Sequence, residues 1–201
     1  MLGVRKATAS DVRTVGRAMS RAFQEDPAFA WAVPNAQRRE RFGPRYFEML
    51  IARTYLPKGE VYVTEDGSAA ALWAPPDKWR TPVLASLPFL PLMTRACTTN
   101  LPVTLKMTTL METHHKKQTE PHYYLPFIGT DPDHQGKGHG TALLTDMLRR
   151  CDEQGVPAYL ESTGIRNRSL YQLHGFQVLD ELSWPNGGPP WWSMWREPQA
   201  A

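Results

Sequence analysis

Six consecutive residues, Gln135-Gly136-Lys137-Gly138-His139-Gly140, carry the sharpest chemical signal in this 201-residue chain. Three glycines at alternate positions let the backbone approach a ligand with no Cβ in the way. Downstream, Leu143, Leu144, Met147, Leu148 and Cys151 fall on one face of a helix. The first N–H groups of a helix have no internal partner and carry partial positive charge. The turn is therefore an anion site suited to a phosphate group, and Lys137 adds charge beside it. Two well-known phosphate turns do not fit. The P-loop pattern needs Gly where Asp131 stands, and Ser or Thr where Gly138 follows Lys137. The dinucleotide pattern G-x-G-x-x-G differs from the G-x-G-x-G found here. Five residues, Asp131 to Gln135, also separate the strand from the first glycine, where that fold wants a tight turn. Glu161 sits near the place where a ribose-binding acid would be sought, so a nucleotide-binding dehydrogenase stands as a rival reading.

The elements that must position this turn are legible on both sides. Tyr123–Thr130 is apolar and rich in β-formers, and Asp131-Pro132 stops it. Pro126 inside it marks a bulge or an edge, because proline cannot donate to a ladder. Gly155-Val156-Pro157 ends the long helix, and Ala158–Ser162 reads as the next strand. Strand, helix and strand with short links form the right-handed unit expected of parallel neighbours. A short helix follows over residues 167–174, closed by Gly175-Phe176. Residues 177–183 alternate as a strand, Asn186-Gly187-Gly188-Pro189-Pro190 is a turn, and Trp191–Arg196 closes the sheet. Upstream, residues 4–7 open as a strand. Ser10 is the expected cap of a helix with Val12, Val15, Met19 and Phe23 on one face, ended by Glu25-Asp26-Pro27. Residues 34–56 form a second helical region. Residues 60–64 and Ala69–Ala74 form a hairpin across Asp66-Gly67.

At these residues the chain resembles the GNAT family of N-acetyltransferases, whose signature [Q/R]-x-x-G-x-[G/A] between a strand and a helix matches residues 135–140. Its nearest likeness within that family is to puromycin N-acetyltransferase and relatives. The shared stretches are V-R-K-A-T near the start, D-P-D-H-Q-G-K-G-H-G, G-V-P-A-Y-L-E-S, R-N-R-S-L-Y-Q-L-H-G-F and the closing M-W-R. The resemblance implies an α/β fold with a mixed central sheet of about six to seven strands, helices on both faces, and two central parallel strands that splay apart. It implies acetyl-CoA as cosubstrate, with the backbone at Ile128 and Thr130 meeting its pantetheine arm and residues 135–140 holding its pyrophosphate. Tyr171, in R-N-R-S-L-Y, would be the acid that protonates the leaving thiolate. Asn167 would hydrogen-bond the cofactor region or cap the helix. The backbone N–H near Ile128 is the candidate oxyanion donor. Glu161 is the first choice of base, with His122, Glu120 and Glu112 as rivals. Phe29, Trp31 and Tyr123 are candidates for the acceptor pocket.

Composition narrows the alternatives. Hydrophobic content of 41% and charged content of 21% suit a globular protein. A formal charge of +3 with no basic stripe gives no expectation of nucleic-acid binding. No apolar run is long enough to span a bilayer, and the N-terminus lacks a signal-peptide core, so no membrane partner and a cytoplasmic location are expected. Cys97 and Cys151 are far apart, the apolar helical face at Cys151 favours a buried thiol, and the six histidines show no zinc spacing, so no metal is expected. The chain reads as one domain, 1–201, with a proline-cut helical insertion over residues 75–121. Helices within it are expected at residues 84–95 and 103–117, forming a lid over the acceptor. The leading expectation is transfer of an acetyl group to a primary amine of a small molecule, such as puromycin or another antibiotic or metabolite amine, by a monomer or homodimer. Acetylation of protein Lys or N-terminal amines, and a non-catalytic acyl-CoA-binding module, are the alternatives.

Overall fold

The computed structural model describes residues 2–184 and 187–199, so Asn186 of the expected turn lies outside them. Seven strands form one sheet: β1 (Val4–Lys6), β2 (Val61–Thr64), β3 (Ala69–Ala74), β4 (Tyr123–Thr130), β5 (Ala158–Ser162), β6 (Gln177–Leu182) and β7 (Trp191–Arg196). Their spatial order is β1-β2-β3-β4-β5-β7-β6. Among the described residues only β4 and β5 run parallel; the other neighbours are antiparallel.

Both faces of the sheet centre are covered. The helix α7 (His139–Gln154) is the crossover between β4 and β5, and it presses Leu143, Leu144, Met147, Leu148 and Cys151 onto Tyr62, Ala69, Ala71 and Trp73. On the opposite face, α1 (Val12–Ala22) and α3 (Ala36–Leu50) bring Val15, Met19, Phe47 and Leu50 against Val61, Val63, Ala70 and Leu72. Alternate residues of β2 and β3 thus enter two separate cores, as the strand period of two dictates. At Gly129 α1 packs directly on β4: a Cβ there would meet Ala22 Cβ at 2.9 Å and Met19 Sδ at 3.1 Å.

Some local expectations shift. Ser10 does not cap α1. A short 3₁₀ turn, Ala9–Asp11, precedes that helix, and the Asp11 carboxylate accepts from the Thr8 N–H at 2.7 Å and from the Thr8 hydroxyl. Arg5 clamps the same carboxylate from β1. The stop at residues 25–27 also starts a helix: Asp26 caps α2 (Pro27–Ala32), its Oδ1 accepting from the N–H groups of Ala28 and Phe29 at 3.0 Å each, with Pro27 at the first helical position.

Between β3 and β4 the chain forms α4 (Val83–Ser86), α5 (Leu90–Cys97) and α6 (Leu101–His115). The helix expected over residues 84–95 is thus divided by a 3₁₀ turn, Leu87–Phe89, in front of Pro91. The last helix, α8 (Ile165–Leu173), follows β5. Among the described residues no helix is long and apolar enough to cross a membrane.

Candidate active site

The feature that shapes the site is the parting of β4 from β5. Their pairing covers Tyr123↔Ala158, Tyr124↔Tyr159 and Leu125↔Leu160, and stops there. On its other side β4 continues to pair with β3 as far as Thr130, with a register shift that places an extra β4 residue between Tyr124 and Phe127. Pro126 sits inside that irregularity. It has no N–H to offer, so the ladder breaks where breaking costs least. From Phe127 to Gly129 the β5-facing edge of β4 has no strand partner among the described residues and can meet an extended ligand.

A cavity of about 570 Å³ opens at this split. Pro126, Phe127 and Ile128 of β4 line it, as do Glu161 of β5, the Ser162-Thr163 link, and Asn167 and Tyr171 of α8. Phe29, Tyr46 and Phe47 supply an aromatic wall, with Phe29 stacked on Phe47 at a centroid distance of 5.5 Å. More of the lining comes from the segment between β3 and β4, through Trp79, Phe89, Met93, Met107 and Met111.

Two phenols anchor the Glu161 carboxylate at the split. Tyr124 donates to Oε2 at 2.6 Å and Tyr159 donates to Oε1 at 3.1 Å. Burial pushes the Glu161 carboxyl up to about 7, and the two hydrogen bonds only partly counter it. Tyr171 is buried, and burial raises its phenol above the ordinary value, with the nearby Asp26 carboxyl adding to the effect. Asp26 is held by Thr163, whose hydroxyl donates to Oδ2 at 2.6 Å, so the cap of α2 is fastened to the end of β5. Burial raises the Asp26 carboxyl too.

The other sequence candidates divide. Phe29 lines the cavity. Trp31 does not: it stacks on Trp184 at 5.9 Å, in a separate cluster with Met107 and Trp191. Tyr123 points to the α7 face, and its hydroxyl donates to Gln154 Oε1 at 2.9 Å. Asn167 is no cap, since Gly164 holds that position and Asn167 lies in the first turn of α8, on the cavity. His122 does not line the cavity; it is bonded to the Glu120 carbonyl through Nδ1 at 2.6 Å and to His115 Nε2 through Nε2 at 2.7 Å. Nδ1 must donate to that carbonyl, so neutral His122 accepts at Nε2 and His115 donates. Burial lowers the pKa of both rings, His115 to about 3, so the pair is neutral near pH 7. Glu112 reaches the cavity and pairs with Lys116 at 2.8 Å, whereas Glu120 is exposed.

The glycine turn has the backbone that a phosphate cradle needs. Gly136 and Gly138 have φ of +74° and +86°, and Gly138 sits directly before α7. A Cβ at Gly136 would meet nothing within 4 Å, so the space above the turn is open. Gln135 donates to the Thr130 carbonyl at 3.2 Å, and Lys137 donates to the Asp133 carbonyl at 2.9 Å, which bind the turn to the end of β4. The His139 ring is buried beneath the turn, so only its backbone can face an anion there.

Sequence reasoning missed Asp26, Thr163, Tyr124 and Tyr159. Asp26-Pro27 did carry a signal, because Asp before Pro is a helix-start pair. The phenols carried none, since their roles depend on strand register.

Comparisons with known proteins agree with this geometry. The Acetyltransferase (GNAT) family model matches residues 107–176. An uncharacterized N-acetyltransferase of Schizosaccharomyces pombe is 25% identical over 223 residues, covering 98% of this chain and 84% of the relative. A Corynebacterium glutamicum structure described as histone acetyltransferase HPA2 and related acetyltransferase is 25% identical, with a TM-score of 0.75 over 100% of this chain and 99% of its own. The polyamine N-acetyltransferase of Drosophila melanogaster, 15% identical, shares the fold with a TM-score of 0.63 over 98% and 100% of the two chains. With the parallel pair parting after Leu125 and the glycine turn at the head of α7, the chain is similar in sequence to the GNAT acetyltransferase family over residues 107–176 and similar in fold to acetyltransferase structures along its whole length.

Proposed function

We propose that the protein transfers the acetyl group of acetyl-CoA to a primary amine of a small, largely apolar molecule. The observation that carries this reading is Glu161, a carboxyl raised to about 7 and held by two tyrosines in the cavity where β4 and β5 part. A base of that pKa is half ionised near neutral pH, which suits proton removal from an ammonium or an attacking amine. The cavity volume falls in the range of small-molecule sites, and its aromatic and methionine walls favour an acceptor with a bulky apolar body, puromycin among them.

In this reading the glycine turn and the head of α7 receive the pyrophosphate, Gly136 and Gly138 giving it access to backbone N–H groups. The edge of β4 at Ile128 and Thr130 receives the pantetheine arm. Asn167 faces the same region. The amine nitrogen forms its bond to the thioester carbonyl carbon while its proton passes to Glu161, directly or through water. The developing oxyanion takes a hydrogen bond from the backbone N–H near Ile128. The C–S bond then breaks, and Tyr171 donates its proton to the departing thiolate. An ordinary phenol and thiol differ by about 1.5 pKa units, or roughly 2 kcal/mol. Burial raises the Tyr171 phenol above its ordinary value, which keeps it protonated until the thiolate departs. The segment over residues 75–121 acts as a lid that sets acceptor choice, through Trp79, Phe89 and Met93.

The test is release of coenzyme A thiol from acetyl-CoA with a panel of amines, puromycin included, comparing wild type with Tyr171→Phe and Glu161→Gln. Amine-dependent release that falls about 10²-fold or more in each variant is expected. Release that survives Tyr171→Phe discards that residue as the acid. Binding of acetyl-CoA without release on any small amine overturns the small-acceptor reading in favour of a protein acceptor or a binding module.

A further inference from the structure

The turn between β2 and β3 meets the glycine turn at three side chains: Asp66, His134 and His139. Their ligand-capable atoms all lie within 4.8 Å of one another. Asp66 Oδ1 is saturated, accepting from the Thr64 hydroxyl at 2.7 Å, the Ser68 hydroxyl at 2.7 Å and the Ser68 N–H at 3.0 Å. Those bonds fix the carboxylate so that Oδ2 faces the two histidines. It lies 3.4 Å from His134 Nδ1 and 3.6 Å from His139 Nε2. Both separations exceed good N–H···O bonds. They come close to the edge of a tetrahedron, about 3.3 Å, that ligand bonds of about 2.0–2.1 Å around one ion would produce.

His139 adds an independent observation. Its side chain is 4% exposed, and neither ring nitrogen has a hydrogen-bond partner among the described residues. A buried imidazole with both nitrogens unpaired runs against the rule that buried polar groups are satisfied. A bond from Nε2 to a metal supplies the interaction that this nitrogen lacks, and Nε2 already lies 3.6 Å from Asp66 Oδ2. The backbone holds the arrangement in place: Asp131 donates to the Ser68 carbonyl at 2.8 Å, His134 closes the 3₁₀ turn Pro132–His134, and His139 opens α7.

We propose that Asp66, His134 and His139 bind one divalent transition-metal ion of the Zn²⁺ type, tying the β2–β3 turn to the glycine turn. Two imidazoles and one carboxylate are a Zn²⁺ or Co²⁺ donor set; Ca²⁺ and Mg²⁺ would ask for more oxygens. Asp66 and His134 are partly exposed, which gives the ion an entry path and leaves a fourth position for water. Asp66 lies 68 positions before His134 in the chain, so no ligand spacing in the sequence announces the site.

The site is tested by titrating the full-length, untagged, metal-stripped protein with Co²⁺, reading visible absorption, and then displacing it with Zn²⁺. One Co²⁺ per chain, with the strong visible bands of a tetrahedral site, is expected. Asp66→Asn and His134→Gln should each weaken binding at least tenfold, and Zn²⁺ should raise the melting temperature of wild type but of neither variant. Both variants leave His139 and the glycine turn intact, and His134 is exposed enough for its replacement to keep the fold. Absence of Co²⁺ binding, or binding equally tight in wild type and both variants, overturns the proposal.

Discussion

Tyr124 and Glu161 are joined by a 2.6 Å hydrogen bond across the last paired rungs of β4 and β5. Tyr159 holds the other carboxylate oxygen from two residues earlier on Glu161's own strand. Two opposing effects therefore act on one group. The phenol donors favour the carboxylate, and burial favours the acid. Burial wins, leaving the group near 7. An acid set by register at the mouth of a strand split is positioned by the sheet itself, more rigidly than a loop would manage.

The first prediction concerns rate against pH. If Glu161 takes the proton, only its ionised form is competent. Because its pKa is raised to about 7, kcat/KM should climb tenfold per pH unit below that value and level off above it. Glu161→Gln should remove the rising limb and lower kcat/KM by about 10²-fold or more. A wild-type limb centred near 4.5, the ordinary carboxyl value, would contradict this environment for Glu161.

The same shift has a consequence for stability. The folded pKa lies above the unfolded one, so between about 4.5 and about 7 the native state binds more protons than the unfolded chain. Stability attributable to the protonated group is present at low pH and is lost as pH rises through that window. A gap of about 2.5 units corresponds to roughly 3 kcal/mol. Glu161→Gln, neutral throughout, should therefore gain stability relative to wild type as pH rises from about 4.5 to 7, up to that order. Urea melts at several pH values would check it; a constant difference between the two proteins would refute the linkage.

Thr163 and Asp26 provide a test of how the acceptor wall is attached. Removing the 2.6 Å donor with Thr163→Val leaves a half-buried carboxyl oxygen without this partner. That should cost about 1–3 kcal/mol and lower the melting temperature by about 3–9 °C for a chain of this length. Because Asp26 caps the helix that carries Phe29, the acceptor KM should rise while the acetyl-CoA KM holds. Equal changes in both KM values would mean the contact serves only general stability.

How much of this was readable in the chain depends on the range of the interaction. The glycine turn, α7 and the β2–β3 hairpin were legible because each is fixed by local rules: Asp66-Gly67 for the turn, and the apolar spacing from Leu143 to Cys151 for the helix. Pro126 announced the bulge for a similar reason. Trp31 and Tyr123 show the limit. An aromatic residue next to a cleft is equally at home in a core, and only the packing of Trp184 on Trp31, or of Gln154 on Tyr123, decides between them. Glu161 could be placed at a strand end, but its pKa comes from Tyr124, 37 positions earlier, and from burial by segments that local patterns do not bring together. The pairing of Asp26 with Thr163 spans 137 positions and left no local trace.

The glycine turn gives the last prediction, because its two left-handed residues separate backbone conformation from steric contact. Gly136 has φ +74° with nothing within 4 Å of an added Cβ, and Gly138 has φ +86° with only Leu2 Cδ1, at 3.9 Å. Neither substitution by Ala meets a clash, so the stability cost is that of forcing an L residue into this region, about 1–2 kcal/mol. At Gly140 the backbone is helical and an added Cβ would come within 3.2 Å of the flexible end of Leu170. Gly140→Ala therefore isolates crowding beneath the turn from strain within it. If the turn cradles the pyrophosphate through its N–H groups, Gly136→Ala and Gly138→Ala should raise the acetyl-CoA KM about tenfold or more and leave the acceptor KM unchanged, in excess of what Gly140→Ala does. Steady-state kinetics varying each substrate in turn, alongside melting temperatures, would read both effects. A lowered melting temperature with an unaltered acetyl-CoA KM would reduce the glycines to shaping a loop and move the phosphate site elsewhere.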